Sequence, residues 1–358
     1  MKAFFIILLL AAGIHLTASG QLVAEDASGK SSILLNASSI SINLSEAALS
    51  ANWNNFRNLA IEKPQQILWG LSARGSNSEG LSELFNGGQF TPKSRISGFI
   101  GLRKSYQTSA FELLKRIREI QTSEGFPNEE AMNVIRQLNE QVKAGRKKQP
   151  SKALDIYLNT GLNTDNFKLY SDQDNSSLAA RFNNISFRGA FADIGINYEY
   201  GSRWTLGISA GYERYNNIDS LLSTDYKLTN ITTIGNSQLS TEVKYHAYSG
   251  DYVAYNRVNF RTDALYFAKV SDAYRLVWNT LYTRWIFPLN ESRINKVIQA
   301  GTAINFYKSE GKFAGGLYAQ SNDLFNHLHS TDRFHERLSF GITAKYAFGT
   351  IMSRDFPE

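Results

Sequence analysis

The chain contains no cysteine. Disulfide bonds, thiolate metal sites and cysteine nucleophiles are therefore excluded. So is a lipid-modified cysteine at a mature amino terminus. Long apolar runs are missing too. No stretch approaches the roughly eighteen apolar residues of a membrane-spanning helix. Phosphate-cradling loops, zincin motifs and nucleophile elbows are likewise absent. Stability must come from backbone ladders and packing alone.

Aromatic residues are plentiful, with 18 Tyr, 22 Phe and 5 Trp in 358 residues. Tyrosine suits a membrane interface, because its ring is apolar and its hydroxyl seeks water. The mean hydropathy of -0.30 reads as soluble. An average of that kind cancels in a strand with one apolar and one polar face. The net charge of +6 is local in origin. Arg103 to Lys152 holds eleven basic and six acidic residues, a balance of +5. Such a segment suits anionic lipid headgroups or a partner protein. Nucleic acid is not expected for an exported chain.

Export is indicated by residues 1–20. Lys2 gives a basic start, Phe4 to Ala12 is apolar, and Ala18-Ser19-Gly20 offers a cleavage site before Gln21. Residues 21–64 form a polar leader. Ile40, Ile42 and Leu44 alternate with polar neighbours, as in a short strand. Ser45 then caps a predicted helix in which Leu49, Trp53, Phe56 and Leu59 keep helical spacing. The leader is either a periplasmic linker or a plug against the main domain.

The clearest pattern is Arg188 to Glu213. Ala192, Ile194, Ile196, Tyr198 and Tyr200 share one parity; Asp193, Gly195, Asn197 and Glu199 share the other. After Gly201-Ser202-Arg203, the residues Trp204, Leu206, Ile208, Ala210 and Tyr212 alternate with Thr205, Gly207, Ser209, Gly211 and Glu213. A period of two makes strands with one apolar and one polar side, joined here in a long hairpin. The same alternation starts near Gln66, with Ile67, Trp69 and Leu71 on the apolar side. It continues through Leu154 to Leu162, Val258 to Tyr266, Leu276 to Tyr282, Ile298 to Phe306 and Leu338 to Phe348. Leu276, Trp278 and Tyr282 are predicted outward, opposite Arg275, Asn279 and Thr283. Phe99 alone breaks the second strand by falling on the inner parity.

Between the second and third strands the period changes. Ala110, Leu113, Leu114, Ile117 and Ile120 recur at helical spacing, as do Ala131, Val134, Ile135, Leu138 and Val142. This predicts an amphipathic helical hairpin over 105–150, whose apolar stripes need a partner. The predicted fold class is an all-β antiparallel up-and-down transmembrane β-barrel of ten strands, with that hairpin inserted. The count becomes twelve if Leu221 to Tyr248 supplies a pair. The barrel spans 65–349 and a tail covers 350–358. With both termini on one side, the insert lies with the periplasmic turns and the long loops face outward.

These features together resemble the outer-membrane β-barrel proteins of Gram-negative bacteria, over roughly Gln66 to Phe348. The last strand, ending Lys345-Tyr346-Ala347-Phe348, resembles the family's aromatic insertion signal, although ten residues follow Phe348. The resemblance implies contact with outer-membrane lipid, lipopolysaccharide and the barrel-insertion machinery. A periplasmic envelope protein docking through 105–150 is a further expected partner. No cofactor is implied.

Seven charged residues are candidates for lining the lumen: Arg257, Arg261, Asp263, Asp193, Glu199, Arg337 and Lys345. Either they pair and fill a narrow interior, or they form a small, slightly anion-favouring conduit or pocket. His327, His329 and His335, with Asp332, have spacing that suits imidazole ligation of a metal. One of them beside Ser330 would suit lipid or peptide hydrolysis. The expected function is a non-enzymatic narrow channel or small-ligand binder. The alternatives are an accessory barrel that docks an envelope complex and a surface hydrolase.

Overall fold

Alternation of apolar and polar side chains becomes one large antiparallel sheet. The computed structural model describes residues 31–34, 39–43, 48–56, 64–76, 93–106, 108–122, 128–148, 152–171, 181–201, 203–234, 237–308, 313–328, 333–343 and 345–347. The expected export signal and the carboxyl-terminal tail lie outside them. The first strands are β1 (Ser39–Asn43), β2 (Ala48–Asn54), β3 (Gln65–Ser76) and β4 (Lys93–Ser105). Helices α1 (Thr108–Gln121) and α2 (Glu129–Lys148) follow. Next come β5 (Lys152–Tyr170), β6 (Phe182–Tyr200), β7 (Trp204–Asn216), β8 (Leu222–Ile234) and β9 (Ser237–Ser249). The series ends with β10 (Ala254–Lys269), β11 (Tyr274–Leu289), β12 (Val297–Lys308), β13 (Phe313–Ser321), β14 (Leu338–Thr343) and β15 (Lys345–Ala347).

Neighbours in sequence are neighbours in the sheet, from β1 through β7 and from β10 through β14. β7 pairs directly with β10, so β8 and β9 stand off the main path as a hairpin. β15 pairs antiparallel with β1, Ser41 opposite Ala347 and Asn43 opposite Lys345. The first and last strands are thus hydrogen-bonded to each other.

The two faces invert the usual arrangement of a soluble protein. Ile67, Ile100, Leu158, Ile194 and Ile208 are exposed on one face. Asp155, Asp193, Asn197 and Glu213, each 1% exposed, lie on the other. Phe99 belongs to the buried face for a packing reason. It sits directly across from Gly70, as Tyr157 does from Gly195 and Tyr282 from Gly301. In each pair the ring covers the glycine so closely that a Cβ has no room.

Three expectations are corrected. The leader contributes β1 and β2 to the sheet, so the strands begin at Ser39 rather than near Gln66. Leu49 and Trp53, four residues apart, satisfy a period of two as well as a helical one. Asn52 and Asn54 fall on the opposite parity, and Asn54 is buried. The extra pair of strands on the main path comes from this leader, in place of the pair anticipated in Leu221 to Tyr248. Tyr282 points inward, 0% exposed, whereas Leu281 is exposed. The cause is a β-bulge: Ala264 faces Leu281 but Leu265 faces Asn279, which leaves Thr280 unmatched and flips the parity of β11.

β5 and β6 have 19 residues each, well beyond the roughly 9–11 of a membrane-crossing strand. Their far ends carry the β8–β9 hairpin. Tyr170 stacks on Tyr226 at 4.7 Å and Phe182 on Tyr245 at 4.8 Å. The opposite end carries the α1–α2 hairpin, whose apolar stripes meet each other. Ile117, Ile135, Leu138 and Val142 form its own small core. The strands on either side are already joined at its base, where Tyr106 N–H donates to the Lys152 carbonyl at 2.8 Å. Replacement of residues 107–151 by a two-residue Asn-Gly turn is therefore expected to leave the sheet folded. Heat-modifiable electrophoretic migration of the shortened chain checks this, with loss of the fast-migrating folded band as the contrary result.

Candidate functional site: a paired polar interior

The buried face gathers its charges in clusters. Glu213 on β7 is the largest hub. It accepts hydrogen bonds from Arg257 Nε at 3.0 Å and Nη2 at 2.7 Å, Arg95 Nη1 at 3.2 Å, Asn163 Nδ2 at 2.5 Å and Asn259 Nδ2 at 3.2 Å. Four strands meet at one carboxylate. The Arg257 guanidinium also lies 3.4 Å from the centre of the Tyr215 ring, and Arg95 lies 3.6 Å from that of Phe191. A planar guanidinium stacks well on an aromatic face once water is excluded.

Asp193 holds Arg261 at 3.2 Å. Toward the end that bears the helices, Arg103 bridges Asp155 at 3.1 Å and Glu199 at 2.5 Å. Asp263 takes Arg284 Nη2 and Asn279 Nδ2, both at 2.9 Å, on its Oδ1. Its Oδ2 receives the Ser32 backbone N–H at 2.7 Å and the Ser32 hydroxyl at 2.6 Å.

Ser32 comes from the leader. Residues 31–34 lie inside, against β5, β6 and β10. The Ser32 carbonyl accepts from the Tyr157 hydroxyl at 2.8 Å and from Asn197 Nδ2 at 2.7 Å. The Leu34 N–H donates to Asn197 Oδ1 at 2.9 Å. Ile33 packs with Leu265, Val277 and Tyr307, an apolar patch on an otherwise polar face. Gly207 makes this possible, because a Cβ there would strike both Ile33 and Ser32.

Beyond this segment, toward the loop end, a cavity of about 320 Å³ remains. Ser31, Ile33 and Leu34 line one side of it. Asn52, Asn54, Asn159 and Asn163 line its walls, with Phe99, Phe187 and Tyr215 supplying rings. Arg74, Lys93 and Arg95 also border it, together with Asp165, Asp193 and Glu213. Its lining therefore carries both signs of charge.

Of the seven candidate lining residues, Arg257, Arg261, Asp263 and Asp193 are buried on the polar face and Glu199 is half-buried there; Arg261 and Asp193 pair with each other. Arg337 sits at the loop end, where it donates to the Asp323 carbonyl at 2.5 Å. The Lys345 backbone pairs with Asn43, and its side chain lies outside the described residues. Lys269 and Arg275 flank the turn between β10 and β11. Lys269 pairs there with Asp272 at 2.8 Å and holds that carboxyl below its usual range, through the hydrogen bond and the positive charge together. Arg284 and Tyr282 were missed because of the bulge. Leu265 and Val277, aliphatic residues on the polar parity near one end, are the sequence signal for that apolar patch. His327 Nδ1 is 3.8 Å from Asp323 Oδ1 and His335 is exposed. His329, Ser330 and Asp332 lie outside the described residues. No group of three metal-ligating side chains occurs among the described residues.

No protein-family model matches the chain, and no curated protein matches it. Among solved structures, the β domain of the Bordetella autotransporter Brka is similar at a TM-score of 0.28 and 11% identity, over 84% of this chain and 88% of that chain. A similarity of that size supports no residue-by-residue correspondence.

Truncating a partner in a buried charge cluster strands the other members. Glu213→Ala leaves Arg257 and Arg95 without their shared carboxylate and is expected to cost about 3–5 kcal/mol. The Glu213→Ala/Arg257→Met pair is expected to recover part of that loss. Denaturant unfolding of the refolded protein in lipid vesicles measures both, and a Glu213→Ala midpoint equal to the parent's would contradict the hub.

Proposed function

We propose that the chain is an outer-membrane β-barrel of twelve strands, non-enzymatic, whose interior is a small-ligand pocket open toward the long loops. The pairing of β1 with β15 supports closure, with β8 and β9 left outside the wall. Closure removes the exposed sheet edges, which is the condition for strands to cross a bilayer. The observation that carries the membrane reading is the inverted burial: Ile100, Leu158 and Ile194 outside, Asp155, Asp193 and Glu213 inside. Exposed Trp53, Trp69 and Trp204 near the tight-turn end fit the interfacial belt of such a protein.

A pocket is favoured over a conduit because residues 31–34 stand across the interior below the cavity. The cavity lies at the lower end of the range for ligand sites, roughly 300–1,000 Å³. Of the four cations that border it, Arg95, Arg261 and Lys93 are paired with Glu213, Asp193 and Asp219, and Arg74 lies at the rim. Amides and rings then dominate what is offered. That chemistry suits a neutral, hydroxyl-rich molecule of about the size of a small saccharide, stacked on a ring and hydrogen-bonded by asparagine.

A second reading rests on α1 and α2. They satisfy their own apolar faces and leave Lys115, Arg116, Arg118 and Arg136 exposed at the tight-turn end. That basic surface fits docking to an envelope component.

Two measurements test the main reading. Leu158→Arg, on the exposed apolar face, is expected to destabilise the membrane-inserted form by about 2–4 kcal/mol if Leu158 lies near mid-bilayer. A protein that stays monodisperse without detergent would overturn the membrane assignment. In planar bilayers the parent protein is expected to give no steady single-channel current. Stable conductance steps would replace the pocket by a conduit.

A further inference from the structure

The contacts around Ser32 have the form of a ligand site. Three of the four polar groups that residues 31–34 present to the wall are main-chain groups: the N–H and carbonyl of Ser32 and the N–H of Leu34. The fourth is the Ser32 hydroxyl. Every receiving group is a wall side chain, and Asp263, Asn197 and Tyr157 are all buried. Side chains that grip main-chain groups beside an apolar socket suit a short peptide in the form held here, bent at Ser32 with the Ile33 N–H donating to the Ser31 hydroxyl.

The wall is also built to survive the segment's departure. Asp263 keeps Arg284 and Asn279 on its other oxygen, so its charge stays compensated. Leu265, Val277 and Tyr307, with Phe267 beside them, would remain as a vacant apolar socket. Arg284 is drawn into place by the β11 bulge, so wall geometry, independent of the segment, sets the site.

We propose that this is a peptide-binding site, occupied in cis by residues 31–34, and that the segment is exchangeable. The ligand class is a short peptide that bends at a small hydroxyl residue followed by a branched aliphatic one. The hydroxyl meets Asp263 and the aliphatic side chain enters the socket. A second peptide of that kind would compete with the chain's own segment and take over the floor of the cavity. The proposal rests on the barrel reading above.

The lack of cysteine makes the test direct. Val277→Cys puts a single thiol in the socket, at small cost because cysteine behaves as a small hydrophobe. The full-length protein is refolded in vesicles and its folded state confirmed by heat-modifiable migration. Its reaction with a water-soluble charged maleimide is then timed. With the native segment, labelling is expected to be slow. Ile33→Asp in the same background should expel the segment and speed labelling by about tenfold or more. Acetyl-Ser-Ser-Ile-Leu-amide at millimolar concentration should slow it again, and the peptide with Asp in place of Ile should not. An unchanged rate in Ile33→Asp would overturn the placement of the segment. A faster rate with no protection by the peptide would overturn the peptide site and leave a purely structural strap. If Ile33→Asp gives no folded band, Ile33→Ala serves in its place, read by the same two outcomes. Loss of the folded band in the Val277→Cys parent speaks against the barrel reading, separately from the peptide site.

Discussion

Charge buried behind an apolar wall must be paired, and the rest of the structure follows from that requirement. An isolated ion inside such a shell carries a desolvation cost of several kcal/mol. The chain meets it by sharing. Glu213 serves Arg257, Arg95, Asn163 and Asn259, which arrive from three other strands. Asp263 serves Arg284, Asn279 and Ser32. Net gain per pair is small, but the geometry is demanding. A slip of one residue in any strand turns these groups outward and sends leucines inward. The clusters therefore specify register more than they add stability.

The interior is divided along its length by the same logic. Arg103, Asp155 and Glu199 fill the end that bears the helices. Next to them the leader segment occupies the floor, held by Asp263, Asn197 and Tyr157. Above it the wall bears asparagines and rings, and space opens. Glycines opposite aromatic residues let the rings lie flat: Tyr157 over Gly195 and Phe99 over Gly70. The cavity is thus what remains after the charges have been satisfied and the rings laid down.

Much of this was legible in the sequence, because a strand with unlike faces writes its period directly. The hairpin of β6 and β7, the last strand and both helices could be placed from spacing alone. Arg257, Arg261, Asp263 and Asp193 are buried on the polar face and Glu199 is half-buried. The failures have physical causes. Leu49 and Trp53 fit two periods at once, so β2 read as helix. Thr280 adds one residue to β11, so every parity beyond it was reversed and Arg284 was overlooked. The site around Ser32 left almost no trace, since it binds backbone, and backbone is the same at every position. Leu265 and Val277, aliphatic on a polar face, mark where an apolar side chain is received.

The junction of β1 with β15 unites residues some three hundred positions apart, Ser41 beside Ala347. Nothing made early in synthesis can complete that junction. Until the final strand is made, β1 and β13 are raw edges, ready to pair with any other chain. Closing so large a loop is slow, and the joint itself is short. Removing Lys345–Ala347 would leave β1 without its partner strand at that junction, a loss that no shortened loop would cause.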